Sequence, residues 1–260
     1  MRIELLSAAT QPRETRVYYE GLAHCYARFS ADTASAGRSQ VDRRAGLFFA
    51  MARERGQILG GCGIHVRNGA GSLPVERALP ESLRLQQKLD RYRWTAELSG
   101  LWVKDDLRGS GVSLRLMQCA MAALPLLEVT IGVGFSHQHV LPLYGTIGLF
   151  PDPELSHFAY PDKRYSSSVL WADAVDLAGV DDENRAQILA ARAVFAEGGR
   201  VQMKLEREPP RLSHRPPPAP PESSVPPTRP SIFPPPEADP ALARLSTPQQ
   251  GVALYRPEAT

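Results

Sequence analysis

Residues 107 to 117 read LRGSGVSLRLM, and within them Arg108-Gly109-Ser110-Gly111-Val112-Ser113 has the residue types and spacing of an anion cradle. A charged residue and two close glycines lead straight into an apolar helical pattern. The start of a helix presents N–H groups without intrahelical partners and the positive end of its dipole, and glycines let a pyrophosphate approach the backbone closely. Arg108 can add a charge-assisted contact or a structural cap. The run lacks the Lys-Ser/Thr of a P-loop and the third glycine of a dinucleotide fingerprint, so neither chemistry fits. Taken alone it is equally an ordinary strand-to-helix turn. His137 and His139 have the spacing of a metal dyad, but no third ligand stands near them and no metal is assigned. Cys25, Cys62 and Cys119 are odd in number, isolated and set among apolar or small residues. They read as free core thiols of a reducing compartment, which argues against a disulfide framework or a structural zinc site.

The flanking pattern alternates between helix and strand, an α/β (α+β) arrangement. Residues 12 to 29 bring Val17, Tyr18, Leu22, Cys25, Tyr26 and Phe29 round at three- and four-residue intervals, which predicts an amphipathic helix followed by a polar loop. GLFFAMARE (46 to 54), a turn at Arg55-Gly56 and QILGGCGIHVR (57 to 67) predict a β-hairpin whose register the pair Gly60-Gly61 leaves open. One or two short helices are expected in 68 to 93 after a Gly-rich turn, and the β-formers of WTAELSGLWVK (94 to 104) predict a strand. After the cradle come a helix over 114 to 127 ending near Pro125, a strand over 128 to 136, a helix over 139 to 148 stopped by glycine, and a strand over 166 to 173. A helix from 181 to 197 takes Asp181 or Asp182 as its N-cap.

The chain has 260 residues and a net charge of +2 with no basic block, so nothing calls for nucleic acid or a membrane surface. The N-terminus has no apolar run of signal-peptide length, and no stretch reaches the roughly eighteen apolar residues of a membrane span. A cytoplasmic location is expected. At Glu208 the sequence turns into EPPRLSHRPPPAPPESSVPPTRPSIFPPPEADP. Each proline removes a backbone donor and fixes φ, which predicts a folded unit over 1–207 and a disordered or polyproline-like tail over 208–260. RPPPAPP (215 to 221) fits a polyproline ligand, but a tract this rich in proline contains such a match by chance, so a solvated tail is expected.

Together the cradle and what surrounds it resemble the GCN5-related N-acetyltransferase (GNAT) superfamily, whose coenzyme A motif, R/Q-x-x-G-x-G/A, follows a bulged strand. Arg108 to Ser113 matches it, with Ser113 in place of the last Gly or Ala. The preceding ELSGLWVKDDL is similar to the family's fourth strand, and LYGTIGLF (143 to 150) to its "LYxxxGF" motif with Leu149 inserted. The resemblance covers roughly residues 40 to 175. It implies a mixed central sheet flanked by helices and an acyl-CoA co-substrate with no metal. Backbone groups near Leu101 and Val103 would pair with the pantetheine arm, and Arg108, Gly109, Ser110, Gly111, Val112 and Ser113 would hold the pyrophosphate. Tyr144 falls on the family's general acid toward the thiolate. His137 stands seven residues earlier, where the family usually has Asn. Acyl transfer to an amine also needs a base, and the resemblance places Glu97 first, with His137 or His139 as runner-up.

The same resemblance reaches, more weakly, the N-acyl amino acid synthases and acyl-homoserine lactone synthases. It leaves open the acyl length, the donor (acyl-CoA or an acyl-carrier protein) and a homodimer. The acceptor is expected to be a small-molecule or amino-acid amine, with Tyr160, Lys163, Arg164 and Tyr165 of FAYPDKRYSSS as candidates to line the acceptor or acyl end of the cleft. The alternative is a degenerate domain that binds acyl-CoA or a protein partner without turnover.

Overall fold

The computed structural model describes residues 1–27, 46–67, 72–92 and 94–204. The polar loop after the first helix, the turn near residue 70 and the proline-rich segment from 208 lie outside the described residues. In chain order the elements are β1 (Arg2–Ser7), α1 (Pro12–Ala27), β2 (Leu47–Glu54), β3 (Gln57–Val66), α2 (Pro74–Ala78), α3 (Leu83–Arg91) and β4 (Thr95–Val103). They continue with α4 (Val112–Ala123), β5 (Ile131–His137), α5 (Leu141–Gly145), β6 (Phe150–Pro151), β7 (Ser167–Asp173), α6 (Asp182–Ala196) and β8 (Val201–Gln202).

Local chemistry accounts for most of these boundaries. Arg55 and Gly56 both have positive φ, at 47° and 81°, the conformation that a two-residue hairpin turn requires. Asp181 caps α6 by accepting from the Asn184 N–H at 2.9 Å. α4 ends at Ala123, earlier than the sequence pattern suggests, because Pro125 cannot donate and the chain tightens into a 3-10 turn over Leu124–Leu127. The expected helix over 139 to 148 is a 3-10 turn, Gln138–Val140, followed by the short α5, and Gly148 at φ 83° turns the chain away. Strands β1, β6 and β8 have no clear periodic signal. β6 and β8 are two residues long and exist through pairing with β7 and β1, and β1 carries the buried Glu4, which is paired with Arg2, Arg53 and Arg200.

The strands form one sheet in the order β6-β7-β5-β4-β3-β2-β1-β8. Every neighbouring pair is antiparallel except β4 and β5, which α4 connects as a crossover. Ala50, Ala52, Ala96 and Leu98 turn to the face covered by α4 and α6. Phe49, Met51 and Trp102 pack against Tyr18 and Leu22 of α1 on the other face. There Val133 and Val169 also meet Val75 of α2 and Leu85 and Leu89 of α3. The feature that makes a site is the β4–β5 seam. It pairs only Thr95 with Ile131, Ala96 with Gly132 and Glu97 with Val133, and beyond Glu97 the ladder stops while both strands run on.

Candidate active site

Past that seam β4 is bulged. Gly61 pairs with Trp102 and Gly63 with Ser99, so Cys62 alone faces Gly100 and Leu101. Gly100 takes the left-handed conformation at φ 63° that the bulge demands. Tyr18 from α1 fixes it, donating its hydroxyl to the Gly100 carbonyl at 2.7 Å and the Ser99 carbonyl at 3.3 Å. Tyr18 can lie this close because β3 is glycine-rich: a Cβ at Gly61 would come within 2.8 Å of its ring, and one at Gly63 within 2.9 Å of its hydroxyl. Lys104 gives its N–H to the Leu59 carbonyl on β3. Strand alternation then turns the backbone groups of Val103 and Leu101 to the other edge, where the β5 ladder has already ended.

The opened seam is a cavity of about 420 Å³. Glu97, Ser99 and Leu101 of β4, Phe135, Ser136 and His137 of β5, and Leu143 and Tyr144 of α5 line it, with Tyr26, Pro74, Tyr160 and Tyr165 closing its sides. Glu97 and Tyr144 come to it from opposite faces. Glu97 alternates with the residues packed under α4 and so points to the α2 side, where it accepts from the Val75 N–H at 2.7 Å and is 2% exposed. Tyr144 belongs to the core on the α4 side. Burial, then the neighbouring Cys62 and Tyr26, pushes its phenol above the ordinary range, Glu97 adds to this, and a hydrogen bond with Ser136 opposes it. The phenol is therefore a protonated hydrogen-bond donor at neutral pH. Burial likewise raises the Cys62 thiol to about 12 and the Cys119 thiol to about 12, leaving both inert.

His137 sits half-buried with its ring 4.1 Å from that of His139 and 5.1 Å from that of Tyr165. Burial, and secondarily His139, lowers its pKa below the ordinary histidine value, so the ring is neutral at pH 7 and able to accept a proton. Of the loop candidates, Tyr160 and Tyr165 reach the described wall. Arg164 is turned to Asp162, with contacts of 2.9 and 2.6 Å. Among the described residues no group of three His, Cys, Asp or Glu is placed to hold a metal, and no helix is long and apolar enough to cross a membrane.

The cradle lies at the start of α4, off the described wall of this cavity. Gly109 and Gly111 both stand at φ 77°. A Cβ on Gly109 would meet nothing within 4 Å, and one on Gly111 only the end of Met203 at 3.8 Å. Glycine is thus required there by backbone conformation, and the space outside it is open to a ligand. Ser110 turns its hydroxyl back to the Leu107 carbonyl at 2.5 Å, and Arg108 pairs with Asp105 at 3.1 Å while remaining exposed. The first intrahelical bond is Arg115 N–H to Gly111, so the N–H groups of Val112, Ser113 and Leu114 form the donor end of the helix. These features fit an anionic pyrophosphate.

Sequence reasoning missed Ser99, Ser136, Phe135, Tyr26 and Pro74. Ser99 follows Glu97 at the spacing of one strand face, and its buried hydroxyl has no protein hydrogen-bond partner. A larger cavity of about 820 Å³ runs along α1 against Trp102, Val103 and Lys104. Glu97, His137 and Tyr144 do not line it, which makes the smaller cavity the candidate for the chemistry; Cys25 borders both.

Comparison with solved structures agrees with this architecture. A CoA-dependent acyl-homoserine lactone synthase, BjaI, superposes with a TM-score of 0.51 at 13% identity, over 80% of this chain and 95% of that one. FeeM, an N-acyl amino acid synthase from uncultured soil microbes, gives a TM-score of 0.51 at 10% identity, over 68% and 97%. At such identities the likeness is one of fold. No curated protein matches the sequence. A family model, described as the acetyltransferase (GNAT) family, matches residues 12–149, more than half of the chain. With the split, bulged sheet and the glycine cradle in place, the chain belongs to the GNAT acetyltransferase family.

Proposed function

We propose that this N-acyltransferase moves an acyl group from an acyl-CoA thioester to a primary amine by direct attack. The observation that carries the reading is the arrival of Glu97 and Tyr144 at one cavity from opposite faces of the parted β4–β5 seam. A base and a proton donor on either side of a channel are what acyl transfer between two substrates needs. Glu97 accepts the amine's proton, directly or through water; neutral His137 is the second candidate for that step. The outward N–H groups of Leu101 and Val103 bind the pantetheine arm and the thioester oxygen, with the Ser99 hydroxyl beside them. Tyr144 gives its hydrogen bond, and then its proton, to the departing sulfur. Arg108 and the N–H groups of Gly109 and of Gly111 to Ser113 hold the pyrophosphate, while the Ser110 N–H donates to the Leu107 carbonyl and shapes the turn. An acyl-carrier protein presents the same arm without the nucleotide and would leave this cradle unused.

A second reading, a binding domain without turnover, draws on the Val75 N–H that already engages Glu97. Release of free thiol from acyl-CoAs of several lengths, with and without a panel of amines, separates the two. The transferase reading expects amine-dependent release and a Tyr144→Phe variant with kcat lowered roughly 10²-fold or more at nearly unchanged donor KM. CoA binding with no amine-dependent release would establish the binding domain instead.

A further inference from the structure

The cavity wall divides by chemistry. Glu97, Ser99, Ser136, Ser167, Tyr144 and the two histidines His137 and His139 bring polar groups to it, and an aromatic and aliphatic part makes up most of the rest. Phe135 belongs to the apolar part, with its ring 5.1 Å from Tyr160 and 6.1 Å from Phe158. Leu143 and Val140 face the space from the α5 side and Ala78 from α2. An acetyl group would cover little of a wall enclosing about 420 Å³, leaving apolar surface wet that a longer chain would bury.

We infer that the acyl group carried to this site is an apolar chain longer than acetyl, seated against Phe135, Tyr160, Tyr165, Val140 and Leu143. The inference rests on the acyl-CoA reading above and adds the class of acyl group. A chain that begins at a thioester beside Ser99 and Leu101 meets apolar side chains from both faces of the sheet, because the parted seam joins them. The ring faces and aliphatic side chains of this part of the wall suit a straight or branched aliphatic chain.

Binding tests this without knowledge of the acceptor. Calorimetric dissociation constants are measured for CoA, acetyl-CoA and hexanoyl-CoA on the full chain. Each buried methylene multiplies affinity about fourfold at most, so hexanoyl-CoA is expected to bind roughly tenfold or more tighter than acetyl-CoA. Phe135→Trp, which fills the space, is expected to bring that ratio back toward one. Leu143→Trp asks the same from the α5 side should the first variant fail to fold. Equal binding of acetyl-CoA and hexanoyl-CoA by the wild type overturns the inference while leaving the CoA reading intact. Binding of hexylamine that the tryptophan variants abolish, with no hexanoyl preference, assigns the wall to the acceptor and also overturns it. Failure of all three CoA species to bind would remove the acyl-CoA reading, and this inference with it.

Discussion

At the scale of single residues, burial sets the proton affinity of Tyr144 and of His137 in opposite directions. His137 is the group whose titration can be followed. Its folded pKa lies below the ordinary value near 6.5, through burial first and His139 second. Between those two values the unfolded chain binds more protons than the folded one. Stability from this residue is therefore complete above about pH 6.5 and is lost as the pH falls through the folded value. A His137→Asn variant is expected to show a shallower fall in Tm from pH 6.5 downward than the wild type. Superimposable Tm profiles would mean that another group governs the acid side. That Glu97, Tyr144 and His137 lie at one cavity was legible because the motifs put them on β4, on α5 and at the end of β5. Val75 and Tyr26 were not, since they reach the cavity only through the packing of α2 and α1 on the sheet.

At the scale of elements, the proposed site depends on a strand that does not finish its ladder. The hairpin, α6 and β4 could be read from turn residues, capping and alternation. The bulge at Gly100 could not, because its cause is distributed over Tyr18, Gly61 and Gly63 in other elements. Tyr18 holds the bulge by one hydroxyl in a fully packed site. Tyr18→Phe removes that donor, leaves two buried carbonyls without it, and should cost about 1–3 kcal/mol in urea unfolding. The same variant should raise the donor KM more than the amine KM, since Leu101 belongs to the bulge and Val103 follows it. A stability loss with both KM values unchanged would detach the bulge from substrate binding.

At the scale of the whole molecule, the family model matches residues 12–149, and the sheet needs more than that span to be complete. β7 continues the far side of β5, and β8 pairs with β1 through Arg2–Gln202 and Ile3–Val201. α6 adds Ile188, Ala191 and Phe195 to the core beneath α4, and Gln118 of α4 donates to Asn184 at 2.7 Å. A chain cut at 149 would expose that core and lose the β7 partner of the strand bearing His137. A chain cut after Arg207 keeps every described element. The proline-rich composition beyond it supplies few groups able to join a sheet or helix. The second truncation is therefore expected to unfold within about 2 °C of the full chain, the shift left by only a few tenths of a kcal/mol in a domain of this size. It should also release thiol from acyl-CoA at the full-length rate. A lower Tm would show that the segment from 208 packs on the folded unit, and an unchanged Tm with lost turnover would give that segment a part in presenting a substrate.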